Sequence, residues 1–131
     1  MKDAIMIILY VEDNEDNAAL VKTWLELDGD LEVVVANDGT EGVKLAANLT
    51  PDLVLMDLYL PAMDGCEAIR MIRANSGSRH IPIIALSAHA MPEDHTNAFA
   101  AGCDDFETKP IDFTRLRAKI RRLVAGATRT T

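Results

Sequence analysis

Two apolar runs in this 131-residue chain stop on acid: "AIMIILYV" leads into Glu12 and Asp13, and "DLVLM" leads into Asp57. A third run, "IPIIAL", stops on Ser87, and Lys109 follows "DDFET". If these run ends gather in one crevice, the acids cannot stand alone. Two unit charges about 4 Å apart repel by about 4 kcal/mol at an effective dielectric of about 20. The cluster then needs a counter-charge or a proton. Carboxylate oxygens suit a hard divalent ion, and Mg2+ takes one or two carboxylates together with waters and phosphate oxygens. Lys109 adds a second positive charge. Beside an ammonium, a hydroxyl and a divalent ion, Asp57 is equipped to attack phosphorus and become an aspartyl phosphate. Lys109 would neutralise charge on the transferring group and Ser87 would hydrogen-bond one of its oxygens.

Something must bring those ends together. The runs at 4–11, 31–36, 52–56 and 81–86 are rich in Ile, Val and Leu without clean alternation, the pattern of strands buried on both faces of a parallel sheet. Residues 104–108 make a short fifth strand between Gly102 and the Lys109-Pro110 pair. Helical spacing lies between them. Leu20, Trp24 and Leu27, with Val21 and Leu25 beside them, define an apolar face of a first helix, and Leu116, Ile120 and Leu123 one of a last helix. Asp38 before Glu41 and Asp64 before Glu67 are helix starts, and Pro92 opens a fourth helix. Five βα repeats with right-handed crossovers predict an α/β fold, a doubly wound five-stranded parallel sheet in the common order 2-1-3-4-5. Its ligands bind beyond the carboxyl ends of the strands, where the five polar side chains stand. Residues 1–125 form one domain and 126–131 a frayed tail.

Bulk properties narrow the function. A net charge of -8 opposes broad nucleic-acid binding, and the acid is concentrated in the first half: residues 1–60 hold 13 acids and 3 bases, residues 61–131 hold 8 and 10. Cys66 and Cys103 form no metal-ligand set and read as reduced thiols in a cytoplasmic protein. No apolar run approaches the roughly 18 residues that span a bilayer, and the acids after residue 11 argue against a signal peptide.

With "VEDN", "LVLMDLYLPAMDG", "ALSAHA" and "CDDFETKPI" in this order, the chain resembles a receiver domain of two-component response regulators from about Ile5 to Val124. The resemblance implies a flavodoxin-like fold and a Mg2+-dependent phosphoacceptor at Asp57. Metal ligation would come from Asp13, Asp57 and the backbone carbonyl of Tyr59, with Glu12 acting through water. Glu12 stands where aspartate is common, and its extra methylene favours the indirect contact. The resemblance further implies Ser87 and Lys109 at the phosphoryl group, a cis Lys109-Pro110 bond, and Phe106 as a switch aromatic that turns inward, without the phenolic hydroxyl of many relatives. Tyr59 and His89 occupy the positions that tune hydrolysis. A histidine kinase or histidine phosphotransfer protein would donate the phosphoryl group, and an unknown downstream protein would read the result. The protein would catalyse only its own phosphorylation and dephosphorylation.

Plainer roles stand beside these. Glu12 and Asp13 would also cap the first helix, Ser87 would serve as a strand-end hydroxyl, Lys109 as a surface lysine, and His80, His89 and His95 as loop or surface residues. "RLRAKIRRLV", residues 115–124, reads as a solvated helix face or as a docking surface for an acidic partner. Two other functions compete: a degenerate receiver that docks partners without phosphorylation, and a metal-dependent phosphatase with an aspartyl intermediate. The length fits a stand-alone receiver and also a fragment of a hybrid kinase.

Overall fold

The order of the five strands decides which run ends meet, and it is β2-β1-β3-β4-β5, all parallel. The computed structural model describes residues 5–89 and 91–129. Its strands are β1 (Met6–Val11), β2 (Leu31–Ala36), β3 (Leu53–Asp57), β4 (Ile83–Ser87) and β5 (Asp105–Thr108), and they alternate with α1 (Glu15–Glu26), α2 (Gly39–Leu49), α3 (Gly65–Ala74), α4 (Pro92–Ala101) and α5 (Phe113–Arg129). The architecture is the doubly wound sheet the sequence predicts. Strand boundaries shift by a residue or two: Asp57 and Ser87 are the last residues of their strands rather than the first beyond them. Ala4, read as the start of the first strand, lies outside the described residues.

Two cores sandwich the sheet. Ile8, Tyr10, Leu53, Leu55, Ile84 and Leu86 pack against α1 and α5 on one face. The alternate residues Leu9, Val11, Val54, Met56, Ile83 and Ala85 pack against α2, α3 and α4 on the other, as the two-residue strand period requires. Every residue of β3 is buried, which places Asp57 at the end of a strand that meets no water along its length.

The helix starts follow the sequence reading. Asp38 and Asp64 accept hydrogen bonds from the backbone N–H of Glu41 and Glu67, and the Glu41 carboxylate reaches back to the N–H of Asn37. Pro92 is the first residue of α4, and Gly102, at φ 122°, ends it. The face of α1 agrees with expectation at Val21 and Leu25 and differs at the other three positions. Ala18, Val21 and Leu25 are buried, whereas Leu20, Trp24 and Leu27 are 53%, 45% and 64% exposed. The small Ala18 lets the helix sit against the sheet through an i, i+3, i+7 stripe, which turns the larger set outward. There Trp24 stacks on Phe113 of α5, with ring centroids 5.1 Å apart.

Leu116 and Ile120 are buried and Leu123 packs at the margin, so α5 uses the predicted face. Its basic residues are not free. Arg115 pairs with Glu107, Arg117 with Asp28 and Asp30, Lys119 with Asp105 and Glu107, Arg121 with Asp30, and Arg122 with Asp105. Each cation in the stretch read as an acidic-partner surface thus has an acid within its own chain. α5 runs on into the expected tail: Gly126 takes no positive φ, and the helix continues through Arg129. Residues 130–131 lie outside the described residues.

Candidate functional site

Because β1 and β3 are neighbours at the centre of the sheet, their carboxyl ends bring Glu12, Asp13 and Asp57 together. One carboxylate oxygen from each lies within 4.8 Å of the other two. Glu12 is 2% exposed and Asp57 5%, while Asp13 faces solvent. The cluster is therefore a cleft with two acids in its floor and one at its rim. Asn14, next in the chain, caps α1 by accepting from the N–H of Asn17, so helix capping falls to Asn14 rather than to the acids before it.

The counter-charge comes from beyond β5. Lys109 Nζ lies 2.9 Å from Glu12 Oε1 and 3.1 Å from Asp57 Oδ2. The lysine is anchored by its backbone N–H on the carbonyl of Ser87, and its peptide bond to Pro110 is cis. Asp57 Oδ1 accepts from the backbone N–H of Tyr59 at 3.0 Å. Glu12 receives more: the Tyr10 hydroxyl donates to Oε1 at 2.9 Å and the N–H of Asn14 to Oε2 at 3.2 Å.

These contacts separate the two buried acids. Burial pushes the Asp57 carboxyl up to about 6, and the neighbouring Glu12 charge adds to it, against the opposing pull of the Tyr59 N–H and Lys109. Glu12 is subject to the same burial, but hydrogen bonds from Lys109, Tyr10 and Asn14 outweigh it and hold its carboxyl below the usual range. Lys109 is desolvated too, yet its two carboxylate partners keep its pKa raised. Glu12 therefore ionises before Asp57, whose anion is the costlier of the two and the one a further cation would stabilise. Oxygen-only donors, two of them desolvated, fit a small hard divalent ion such as Mg2+.

Ser87 is placed differently from the other predicted site residues. Its buried hydroxyl donates to the carbonyl of His89 at 2.7 Å and accepts from the His89 N–H at 3.0 Å, closing a local turn. Tyr59 spans the cleft rim. Its ring meets His89 edge-on with centroids 4.7 Å apart, and its hydroxyl donates to Asp94 Oδ1 of α4 at 2.8 Å. The other Asp94 oxygen is buried without a partner. Phe106 is already buried, with His95 of α4 stacked on it at 3.9 Å. The inward turn implied by resemblance therefore has no outward starting point in this conformation.

Sequence reading missed Tyr10 and Asp94, and it took the exposed His95 for a loop or surface residue without its contact to Phe106. Tyr10 was legible in principle, since it lies two residues before Glu12 and a strand points both to one face. Asp94 and His95 depend on how α4 is rotated, and that helix carries only a weak apolar stripe, burying just Ala98 and Ala101.

Known proteins with this arrangement are numerous. Over 120 residues the chain is 35% identical to the polar-differentiation response regulator DivK of Brucella anthropi, covering 92% of this chain and 97% of that protein. It is 43% identical over 117 residues to hybrid signal transduction histidine kinase G of Dictyostelium discoideum, but spans 3% of that much longer protein. Among solved structures, the receiver domain of sensor histidine kinase PA1611 from Pseudomonas aeruginosa, which has a magnesium ion coordinated in its active site cleft, superposes with a TM-score of 0.86 at 37% identity, covering 93% of this chain and 99% of that one. A CheY-like receiver domain protein from Methanospirillum hungatei gives 0.89 at 26% identity, with 98% and 100% covered. A family model for the response regulator receiver domain matches residues 8–121. With a match across most of its length and a relative aligned nearly end to end, the chain belongs to the response regulator receiver domain family of two-component signalling.

Proposed function

We propose that this receiver is a phosphorylation-dependent switch whose phosphoacceptor is Asp57. The observation that carries the reading is the Lys109 ammonium bridging Glu12 and Asp57 beside the exposed Asp13. Asp13, Asp57 and the backbone carbonyl of Tyr59 would hold Mg2+, with Glu12 reaching it through water. When bound, the ion supplies positive charge to the non-bridging phosphoryl oxygens. The similar receiver with a magnesium ion coordinated in its active site cleft supports a divalent ion at this position.

In the transfer itself an Asp57 carboxylate oxygen bonds to phosphorus while the P–N bond of a phosphohistidine donor breaks, and the electron pair returns to the imidazole. The donor is a histidine kinase or a histidine phosphotransfer protein. Lys109 stays on Glu12 and neutralises charge gathering on the phosphoryl group. Ser87 gives up its turn with His89 to donate to a phosphoryl oxygen. That exchange of partners, about 1.5 to 3 kcal/mol for a charge-assisted bond, shifts the loop after β4 and the α4 surface packed against Phe106. Tyr59 and His89 stand over the cleft as rings that restrict water and so slow hydrolysis. The output is a changed surface for a downstream protein in the cytoplasm.

Acetyl phosphate with Mg2+ tests the reading. Intact-mass spectrometry should find one phosphoryl adduct per chain, absent in Asp57→Asn. No adduct in the wild type would make the chain a docking module. Phosphate released far beyond one equivalent would make it a phosphatase.

A further inference from the structure

Tyr10 is fully buried in β1, among the core residues facing α1 and α5, and its hydroxyl makes its one hydrogen bond among the described residues to Glu12 Oε1. A phenylalanine would fill the same volume, so packing gives no reason for the oxygen. Glu12 does. Its longer side chain has one more torsion than aspartate and can place its carboxylate in more ways. Three donors meet that carboxylate. Lys109 is shared with Asp57, and the Asn14 N–H reaches Oε2 over a longer 3.2 Å contact. The Tyr10 hydroxyl is the shorter of the two neutral contacts and the one carried by a ring wedged in the core.

We infer that Tyr10 is a positioning residue: its buried hydroxyl clamps the Glu12 carboxylate toward the divalent-ion position. Without it, Glu12 swings on its remaining torsions and no longer holds its carboxylate toward the ion position. The inference rests on the proposed metal-binding reading and deepens it by naming what aims the water-mediated ligand. It also accounts for the pairing of a tyrosine at position 10 with a glutamate at position 12, because aspartate would fall short of the hydroxyl by one carbon–carbon bond, about 1.5 Å.

The test is Tyr10→Phe in the wild-type and Glu12→Asp backgrounds. In wild type it should weaken Mg2+ binding, measured by calorimetry, about three- to tenfold, below the range for partners bonded to direct ligands. The Mg2+ concentration giving half-maximal labelling by acetyl phosphate should rise by the same factor, with the rate at saturating Mg2+ retained. In Glu12→Asp the same change should do nothing further. NMR relaxation of the metal-free protein should find the Glu12 side chain rigid in wild type and mobile in Tyr10→Phe. A Glu12 that stays rigid in Tyr10→Phe overturns the assignment, as do equal Mg2+ losses in both backgrounds or a fall in maximal rate with unchanged half-saturation. Loss of rigidity in a protein that takes no Mg2+ in either form supports the clamp and overturns the metal-binding reading instead.

Discussion

Asp57 is a residue the fold tolerates at a cost. Its carboxyl moves from the ordinary 3.8 to about 6 chiefly because burial disfavours the anion. Between those values the folded protein holds a proton on Asp57 that the unfolded chain releases, so this group's contribution to stability is full below pH ~4 and is lost as pH rises through about 6. A gap of roughly two units corresponds to about 3 kcal/mol at neutral pH. Asp57→Asn removes this penalty but takes one partner from Lys109. The net expectation is a gain of about 1–2 kcal/mol at pH 7 that vanishes near pH 4, read from metal-free urea melts. A destabilised Asp57→Asn at pH 7 would show the ion pair outweighing desolvation. The same shift means that Mg2+ binding near pH 5.5 should displace a proton, detectable as a buffer-dependent heat. At this scale the sequence was most legible where chemistry sat at a strand end, as for Asp57, Glu12 and Lys109. It was least legible where a side chain met a partner on another element. Tyr59 and Asp94 are 35 positions apart, and no local pattern says that a phenol and a carboxylate will touch.

Elements place those residues by close approach as much as by hydrogen bonding. Gly65, the first residue of α3, lies so near the end of β3 that an added Cβ would sit 2.3 Å from the Asp57 carbonyl oxygen and 2.6 Å from Leu58 Cα. Both obstacles are backbone and cannot rotate away. Gly65→Ala should therefore cost about 2 kcal/mol or more and, by pushing the loop outward, displace the Tyr59 N–H from Asp57. A melt and the labelling assay read the two effects separately. The rotation of α1 makes a contrasting case. Leu25→Ala should cost about 2–5 kcal/mol, as for a buried core leucine, whereas Leu27→Ala, on the solvent side, should cost well under 1 kcal/mol. Apolar spacing alone supported both faces, because Leu20, Trp24 and Leu27 are as regularly spaced as Ala18, Val21 and Leu25. The choice was made by the neighbouring sheet, which admits the smaller residue, and by Phe113, which gives Trp24 an aromatic partner outside the core. Strand order was readable for the opposite reason: continuous apolar runs and right-handed crossovers leave few alternatives.

For the molecule as a whole, three acids of the first half of the chain, Glu12, Asp13 and Asp57, converge at the carboxyl end of the sheet, and a divalent ion there should act on the entire fold. At about a hundred times its dissociation constant, Mg2+ should stabilise the protein by about 2.7 kcal/mol, a rise of about 10 °C for a chain of this size. Asp13→Asn should abolish most of that rise while leaving the metal-free melting point near wild type, since Asp13 is exposed. Equal shifts in both proteins would place the ion elsewhere. Among the described residues no helix is long and apolar enough to cross a membrane. The link from Lys109 to Glu12 spans 97 positions and that to Asp57 spans 52. A nascent polypeptide emerging from the ribosome consequently owns both acids long before it owns the ammonium that reconciles them. On the proposed reading, competence to receive a phosphoryl group would arrive only once the last strand docks and Lys109 reaches the cleft, so a half-made copy would stay silent.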